Sequence, residues 1–433
     1  MMSKEKRRVP KLRFPGFTED WEQRKLGDFY TFKNGLNKEK VYFGYGDSIV
    51  NFTDVFHNRQ IYSSTLKGKV CVNKKELENY KVKEGDLFFT RTSETIDEIG
   101  FPAVVMEPME RVVFSGFVLR GRAEKYDPLA NIFKSYIFFT DNFRSEMKKK
   151  SSMTTRALTS GTALKEMCFS YPKDLEEQTK IGEILLSLDK IITLHQRKLN
   201  NLKLKRKALL QKLFPKNGEG YPELRFPGFT DAWEQRKLGE IFEYLQNNTL
   251  SRDSLNYKIP NIKNIHYGDI LVKFNEILDG SNKDIPYINP DLDLSKFSKS
   301  LLRDGDVIFS DTAEDDTVGK AIELQNVNAP FILSGLHTIP CRPLIPFGKG
   351  YLGNFFNSNS YRLQIRPLVQ GIKVSSISKS ALKDTMIKYP KNLDEQEKIG
   401  SLFQSITKMI TLHQRKLKHL QIQKKSLLQK LFV

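Results

Sequence analysis

The residue pattern nearest to a cofactor motif is residues 348–353, which fit the G-x-G-x-x-G of dinucleotide-binding loops. Such a loop follows a strand, opens a helix, and is accompanied by an acidic residue about 20 positions later. Here the preceding residues are Pro-Leu-Ile-Pro-Phe, and Lys373 stands where the acid would be. The corresponding stretch of the first half lacks the glycines. We therefore interpret residues 348–353 as a loop before a helix.

Other catalytic signatures are missing from the sequence. It contains no G-x-x-x-x-G-K-[ST] phosphate-binding loop. Asn289-Pro290-Asp291 does not match the Asn/Asp-Pro-Pro-aromatic motif of amino-group methyltransferases. The histidines and cysteines show no metal-ligand spacing. A metal-dependent nuclease of unfamiliar pattern stays open, but no residues point to one, so we predict a non-catalytic chain without a metal.

The charge of the chain favours a polyanionic partner. Its 433 residues include 70 Lys and Arg against 51 Asp and Glu, a formal net charge of +19. Nucleic acid and anionic membrane surfaces are the usual partners of so basic a chain. No apolar run reaches the ~20 residues of a membrane span, and Cys71, Cys168 and Cys341 are too scattered for a disulfide framework. We expect a cytoplasmic protein with a basic, solvated arm at residues 1–11.

Two near-copies of one helix are the most regular feature of the sequence. ITLHQRKL occurs at 192–199 and again at 410–417, and the apolar positions around both copies recur in alternating steps of four and three. Such a heptad seam is typical of helices that supercoil around each other. The predicted seam residues are Ile181, Leu185, Leu188, Ile192, His195, Leu199, Leu202, Leu209 and Leu213 in the first copy, and Ile399, Phe403, Ile406, Ile410, His413, Leu417, Leu420, Leu427 and Leu431 in the second.

We predict that these helices cover about 175–214 and 393–432 and pack on each other as an antiparallel coiled coil. The seam is narrow, whereas a helix that packs on a globular domain usually has a wider apolar stripe, which is the alternative. Asp174 with Glu177, and Asn392 with Glu395, have the spacing of capping boxes. If a pseudo-two-fold axis relates the two halves, the seam histidines of the two helices should lie across from each other.

The duplication extends beyond the helices. Residues 12–27 return at 224–239 with 14 of 16 identities, and residues 171–214 return at 389–432 with 27 of 44. The fold class that we predict is α+β, with two mixed α/β domains, two long helices and a pseudo-two-fold internal repeat. Its parts are an arm at 1–11, a domain at 12–172, a helix at 173–214, a linker at 215–223, a domain at 224–390 and a helix at 391–433.

Between the repeated ends the two domains differ, with a few parallels. Residues 83–91 parallel 303–311 as a Gly-Asp turn leading into a strand, and residues 115–120 parallel 334–339 as a second strand. Residues 136–150 read as a short helix. Trp21 and Trp233, inside the repeated WEQRKLG, are expected to anchor each domain to its helix rather than to stack on a base. Repeated domain ends around divergent interiors suggest that the two domains have the same function but bind different targets.

This ordered, duplicated set resembles the specificity subunit of type I restriction-modification enzymes. WEQRKLG opens each half, a Gly-Asp strand lies inside each, and Tyr-Pro-x-x-Leu-x-Glu-Gln-x-Lys-Ile-Gly leads into each helix. Tyr-Pro-Lys stands where the family often shows a Pro-Pro. The resemblance implies two target recognition domains that each read one half of a bipartite DNA site, and a coiled coil that fixes the spacer between the halves.

The resemblance also implies partners and cofactors. Two methyltransferase subunits would dock on this frame, supply S-adenosylmethionine and methylate adenines of double-stranded DNA. Restriction subunits, which act as motor and nuclease, would cut unmethylated DNA and would use ATP and Mg as cofactors. This chain would itself hold no cofactor, catalyse no reaction and bind no membrane. Two other classes stay open: a coiled-coil adaptor, which would show weak and salt-insensitive DNA binding, and a self-sufficient enzyme, which would bind S-adenosylmethionine or cleave DNA alone.

Base reading would fall to side chains of the divergent interiors. Arginine pairs with guanine, Asn and Gln with adenine, and Ser and Thr with either, whereas contacts to phosphate carry no sequence information. For each candidate the alternative is a solvated loop or a phosphate contact. The predicted DNA contacts are Arg91, Thr92, Ser93, Arg120, Arg122, Thr154, Thr155 and Arg156 in the first domain, and Asp311, Thr312, His337, Arg342, Gln370, Lys373, Ser375 and Ser376 in the second.

Overall fold

The structure is a computed structural model that describes residues 9–216, 218–329 and 331–433. Most of the predicted basic arm, residues 1–8, therefore lies outside the described residues. The chain forms two units: unit 1 contains Met1–Gln196 and Lys416–Val433, and unit 2 contains Arg197–Arg415. Each unit combines one mixed α/β domain with the first part of one long helix and the last part of the other.

In unit 1 five of the thirteen strands form one larger sheet, and the other eight form three smaller ones. The strands are β1 (Glu22–Lys25), β2 (Tyr30–Asn34), β3 (Phe43–Val50), β4 (Gln60–Ile61), β5 (Lys69–Val70), β6 (Leu87–Thr90), β7 (Thr92–Ser93), β8 (Pro102–Val105), β9 (Val112–Phe114), β10 (Val118–Ala123), β11 (Ser152–Met153), β12 (Ala157–Leu158) and β13 (Cys168–Tyr171). The larger sheet has the order β2-β10-β6-β8-β4, and the smaller ones are β1-β13, β5-β3-β9 and β11-β12-β7. The helices are α1 (Phe52–Val55), α2 (Lys74–Tyr80), α3 (Asn131–Ile137), α4 (Asp141–Lys150), α5 (Gly161–Lys165) and the first part of α6 (Leu175–Lys212).

Unit 2 repeats this plan. The strands are β14 (Glu234–Lys237), β15 (Phe242–Tyr244), β16 (Leu255–Asn256), β17 (Lys263–Ile265), β18 (Ile277–Asp279), β19 (Tyr287–Ile288), β20 (Val307–Ser310), β21 (Thr312–Ala313), β22 (Ala321–Gln325), β23 (Ile332–Ser334), β24 (Thr338–Pro343), β25 (Ser375–Ser376) and β26 (Met386–Tyr389). The larger sheet has the order β15-β24-β20-β22-β18, and the smaller ones are β14-β26, β16-β19-β17-β23 and β21-β25. The helices are α7 (Leu238–Ile241), α8 (Tyr267–Val272), α9 (Tyr351–Phe356), α10 (Asn359–Ile365), α11 (Lys379–Lys383) and α12 (Leu393–Leu431).

The central strand of each larger sheet begins at the predicted Gly-Asp turn. Gly85 and Gly305 have φ angles of +80° and +84°, which glycine adopts without strain. The following carboxylates, Asp86 and Asp306, each accept a backbone N–H three residues back, at 2.8 Å. All four residues of β6 and of β20 are buried. The predicted turn-and-strand pairs are confirmed.

The alignment of the next strand pair differs by one residue from the sequence prediction. Val118 of β10 lies opposite Thr90, and Thr338 of β24 lies opposite Ser310. Phe117 therefore corresponds to His337. The Ser-Gly dipeptides suggested the wrong register, because ladder pairing with the central strand, and not local composition, sets the alignment.

The single helix predicted at 136–150 is wrong, because two helices occupy this region. α3 ends at Ile137 and α4 begins at Asp141. Thr140 has an extended backbone, with ψ 149°, and its hydroxyl donates to the carbonyl oxygen of Ile137 at 3.0 Å. The extended backbone of Thr140 separates the two helices, and its hydroxyl bonds to the end of the first one.

The two long helices pair antiparallel in each unit. In unit 1, Ile181 and Leu185 near the start of α6 share a core with Leu431 at the end of α12. In unit 2, Leu213 at the end of α6 shares a core with Ile399 and Phe403 near the start of α12. All predicted seam residues are buried or half-buried. The antiparallel coiled coil is confirmed. The predicted meeting of the two seam histidines joins residues of different units and stays a prediction.

At the start of each long helix, the predicted N-cap side chain accepts a backbone N–H of the first turn, which confirms one of the two interactions of a capping box. Asp174 Oδ1 accepts the N–H of Glu176 at 2.7 Å, and Asn392 Oδ1 accepts that of Asp394 at 2.8 Å. The partner glutamates are used differently from a capping box. Glu177 and Glu395 each bind an arginine of the repeated LRFPGF stretch through two hydrogen bonds of 2.7 and 2.8 Å, Arg13 in unit 1 and Arg225 in unit 2.

Candidate nucleic-acid interface

The glycine-rich stretch 348–353 is occupied by a buried carboxylate. Glu323, 2% exposed, accepts the N–H of Gly350 at 2.6 Å and of Gly353 at 2.9 Å, where α9 begins. These are the backbone donors that a phosphate would need. Burial raises the pKa of Glu323, against the lowering effect of those N–H groups. The interpretation of this motif as a loop before a helix is confirmed.

Within residues 9–216, 218–329 and 331–433, no group of three or more His, Cys, Asp and Glu side chains is placed to hold a metal ion. In the same part of the chain, no helix combines the length and the apolar character that crossing a membrane requires.

Both tryptophans are buried anchors, as predicted. Trp21 packs edge-on against Phe133 of α3 at 6.0 Å and against Phe432 at 6.2 Å, and its indole N–H donates to Glu177 at 3.4 Å. Trp233 packs in the same way against Tyr351 of α9 at 6.0 Å, and against Phe214, which follows α6, at 6.3 Å. Neither indole is placed to stack on a base from solution.

Most of the predicted contacts of the first domain come together on one surface. β7 pairs with β12 of the β11-β12 hairpin, so Thr92 lies opposite Leu158 and Ser93 lies opposite Ala157. The hairpin turn, residues 154–156, is exposed, while Ser93 is buried. We call this polar surface 1 and define it as Arg91, Thr92, Ser93, Phe117, Thr154, Thr155 and Arg156.

A cavity of about 460 Å³ opens on polar surface 1. Thr92, Ser93 and Arg156 line its polar side, together with Glu94 and Glu98. Its apolar wall consists of three phenylalanines, one of them 63% exposed: Phe52, Phe56 and Phe117. A concave site with aromatic walls and hydroxyl and guanidinium groups suits a flat, polar-edged ligand such as a nucleobase.

The predicted contacts of the second domain form an equivalent surface. β21 pairs with β25, with Thr312 opposite Ser376, and Gln370 exchanges two backbone hydrogen bonds with Ser376 at 2.9 and 2.8 Å. Lys373 is exposed in the intervening loop. We call this polar surface 2 and define it as Tyr267, Asp311, Thr312, His337, Gln370, Lys373, Ser375 and Ser376.

Side chains on polar surface 2 form a contiguous network. Asp311 Oδ1 accepts the hydroxyl of Thr312 at 2.7 Å and lies 3.3 Å from His337 Nδ1. The His337 ring packs edge-on against Tyr267 at 5.2 Å. His337 has a φ of +55°, a conformation that costs energy for a non-glycine residue and that clusters at functional sites.

The residue before Tyr267 is a histidine with an altered pKa. His266 Nδ1 accepts the N–H of Gly268 at 3.3 Å and so caps α8. Burial lowers the pKa of His266, and the positive charge of Arg252 lowers it further. The ring therefore favours its neutral form, which the accepted hydrogen bond also requires.

Three predicted arginines lie away from these surfaces. Arg122 binds Asp86 through two hydrogen bonds of 2.6 Å, and Arg342 binds Asp306 through bonds of 2.9 and 2.7 Å. Arg120 is buried, and its guanidinium group lies 5.1 Å from a phenylalanine ring centroid. These contacts give all three a structural role, and their contact with a base stays a prediction.

Sequence reasoning missed the exposed aromatic residues. Tyr42, Phe43 and Tyr45 are exposed at the start of β3, with Lys38 Nζ 4.7 Å from the Tyr42 ring. In unit 2, Tyr257 is exposed and its hydroxyl accepts from a lysine at 3.0 Å. Aromatic rings beside lysines are typical of surfaces on which bases stack. The signal was present in the sequence as KEKVYFGYG at residues 38–46.

Comparison with known proteins identifies the frame that carries these surfaces. A family model described as the type I restriction modification DNA specificity domain matches residues 18–204. The second half repeats the order of the larger sheet of that segment and its tryptophan anchor. The first half of the chain therefore matches the type I restriction modification DNA specificity domain.

Two known proteins are similar to this chain. A putative type I restriction enzyme MjaX specificity subunit from Methanocaldococcus jannaschii is 24% identical over 222 residues. That alignment covers 49% of this chain and 48% of the relative, so the match spans about half the length of that protein. The S subunit of a type I restriction-modification system from M. genitalium has the same fold, with a TM-score of 0.55, 12% identity and coverage of 98% of this chain and 99% of the other.

Proposed function

We propose that the chain is the DNA-recognition subunit of a type I restriction-modification complex, and that each domain reads one half of a bipartite site. The observation that carries this proposal is the contrast between frame and surface. The contacts that fix each domain to its helices occur twice, whereas the polar surfaces, at equivalent places, carry different side chains. A protein that reads two different sequences by one mechanism needs this combination.

The charge of the chain supports DNA as the ligand. A formal charge of +19 supplies attraction to phosphate that does not depend on sequence. Hydroxyl, amide, guanidinium and carboxylate groups on the polar surfaces supply the donors and acceptors that distinguish base edges. DNA binding should therefore be salt-dependent, with the logarithm of the association constant falling by about 0.9 per phosphate contact for each tenfold rise in salt.

The long helices support the roles of spacer and docking platform. Four pairs of equivalent positions outside the seam carry exposed apolar residues: Leu175 and Leu393, Ile191 and Met409, Leu194 and Leu412, Leu204 and Ile422. Apolar residues exposed at equivalent positions of both helices suit the docking of two copies of one partner. We assign them to two methyltransferase subunits that carry S-adenosylmethionine, with restriction subunits using ATP and Mg joining the complex in the cytoplasm.

The test is to co-express the full chain with its partner methyltransferase in a host that lacks adenine methylation, and to map modified adenines across the genome. The expected result is a split motif with an unspecified gap of constant length. If the methyltransferase co-purifies with the chain but no new methylation occurs, the proposal is wrong. The methyltransferase expressed alone is the control.

A second experiment separates the spacer from the half-sites. An insertion of about four residues, roughly one helical turn, is placed in the exposed middle of α6. The gap in the methylated motif should lengthen while both half-sites stay unchanged. An unchanged gap in an active complex would show that the helices do not set the spacing.

A further inference from the structure

Polar surfaces 1 and 2 differ in the sign of charge at one equivalent backbone position. The N–H of Arg91 donates to the carbonyl oxygen of Phe117 at 3.1 Å, and the N–H of Asp311 donates to that of His337 at 3.1 Å. The carbonyl oxygen of Arg91 accepts the N–H of Thr159, which follows β12, at 3.1 Å. The carbonyl oxygen of Asp311 accepts the N–H of Ile377, which follows β25, at 2.8 Å. Each residue precedes a threonine, and each is half-buried.

The carboxylate on polar surface 2 is held in a fixed orientation. The Thr312 hydroxyl and the His337 ring both contact Oδ1 of Asp311, at 2.7 and 3.3 Å. A carboxylate at a DNA surface is repelled by phosphate, so its presence there needs a compensating donor. In the major groove that donor is the exocyclic amino group of a base, N4 of cytosine or N6 of adenine.

We propose that Arg91 and Asp311 are corresponding specificity-determining residues that read opposite kinds of base edge. Arg91 donates two N–H groups to O6 and N7 of a guanine in one half-site. Asp311 accepts a hydrogen bond from a base amino group in the other half-site, while Thr312 and His337 position its carboxylate. This inference rests on the proposed function and adds which position of each domain distinguishes bases, and by which chemistry.

The first test maps methylated adenines for variants of the full chain co-expressed with its methyltransferase. Arg91→Lys keeps the charge but removes the bidentate fork, and Asp311→Asn keeps the shape but changes an acceptor into a donor. Each variant should relax or change one position of one half-site, with discrimination there falling roughly 5- to 150-fold. Arg24→Ala and Asp231→Ala, exposed residues of the repeated frame, are matched controls that should leave the motif unchanged.

The second test uses synthetic duplexes that carry the mapped site. One duplex is altered at the base position whose reading changes in Asp311→Asn. If the mapped base is a cytosine, its N4 amino group is replaced by hydrogen; if it is an adenine, its N6 amino group is replaced. The complex with the original chain should bind the natural duplex at least tenfold better, whereas the complex with Asp311→Ala should bind both duplexes equally. The analogue that weakens binding identifies the base whose amino group Asp311 contacts. For Arg91 the corresponding probe is 7-deazaguanine, which lacks the N7 acceptor.

Two outcomes would overturn the inference. One is a split methylation motif that stays unchanged at every position in all Arg91 and Asp311 variants. The other is an Asp311→Ala complex that still prefers the natural duplex as strongly as the original. In both cases the split motif itself would persist, so the proposed function would stand. Failure of the proposed function is a different result, the absence of a split motif in the original complex.

Discussion

The two units of this protein hold their domains in the same way but present different groups outwards. Arg13 with Glu177 in unit 1 and Arg225 with Glu395 in unit 2 have identical geometry. Phe117 and Arg91 of polar surface 1 correspond to His337 and Asp311 of polar surface 2. Phe52, in the wall of the adjoining cavity, corresponds to Tyr267. The first surface is therefore aromatic and cationic, and the second is a hydrogen-bonded network around a carboxylate. The difference teaches that the residues that attach each domain to its helices are separate from those of the polar surfaces.

A second difference lies where each domain meets its helices. In unit 1, Asp189 of α6 contacts Lys424 of α12, the Tyr136 hydroxyl at 2.9 Å and the Arg59 guanidinium at 3.9 Å. In unit 2 the carboxylate comes from the domain instead, and Glu276, just before β18, binds Arg206 of α6 at 2.6 Å. Both junctions pair a carboxylate with a cation of the helix that ends there. The pairing is retained while the element that supplies the carboxylate changes.

The largest expected effect tests the shared frame. Trp21→Ala should lower the free energy of unfolding of unit 1 by about 3–5 kcal/mol, because the buried indole leaves a cavity between Phe133 and Phe432. Trp233→Ala should do the same in unit 2. Denaturant unfolding of the full chain measures both, with Trp→Phe as the milder control at each position. If one alanine variant cost less than 1 kcal/mol, the two anchors would not be equivalent.

The buried ion pairs should give the next effect. Arg13→Ala leaves the Glu177 carboxylate, whose side chain is fully buried, without its two guanidinium bonds. We expect a loss of about 3 kcal/mol in unit 1, and the same for Arg225→Ala in unit 2. Urea titration checks this, and Arg24→Ala, which removes an exposed arginine of the same repeat, should cost under about 0.5 kcal/mol. If Arg13→Ala and Arg225→Ala lowered the free energy of unfolding by clearly different amounts, the two ion pairs would not be equivalent.

The junction variants should distinguish the units. Asp189→Asn removes the carboxylate of unit 1 and should cost about 1–2 kcal/mol, because a half-buried lysine and arginine lose their shared partner. Thr407→Ala, at the equivalent position of α12, should cost under about 0.5 kcal/mol, since unit 2 takes its carboxylate from Glu276. Thermal unfolding of both variants gives the comparison. Similar losses would contradict the different sources of the carboxylate.

The smallest effect is a pH dependence that His266 gives to unit 2. Burial lowers the pKa of His266, so the folded state favours the neutral ring. As the pH falls through about 6.5, the unfolded chain binds a proton that the folded chain resists, and unit 2 loses stability. Asn51 caps the corresponding helix of unit 1 and does not titrate. Melting curves at pH 7.5 and 5.5 should show the loss in the original chain and a smaller one in His266→Asn; equal losses would exclude His266 as the source.

The features that could be predicted from sequence are those that depend on repeated residue patterns. The heptad seam and the duplicated frame have fixed periods, so the residues that pair with each other follow from spacing alone. The arginines could not be assigned in this way. Arg122 binds a carboxylate 36 residues earlier, and nothing local to Arg122 distinguishes that role from a contact with a base. Polar surface 1 likewise depends on pairing Thr92 with Leu158, a register that the whole sheet sets.

The last residues of the chain complete the domain that is made first. The N–H of Leu12 donates to the carbonyl oxygen of Lys430 at 2.9 Å, and Phe432 covers Trp21. During synthesis at about 5–20 residues per second, the first domain therefore waits some 10–50 s for its final segment to leave the ribosome. Until then its tryptophan site is open and its apolar wall is available to chaperones. A chain cut short before the last turn of α12 would lack Lys430 and Phe432, and therefore a finished first domain.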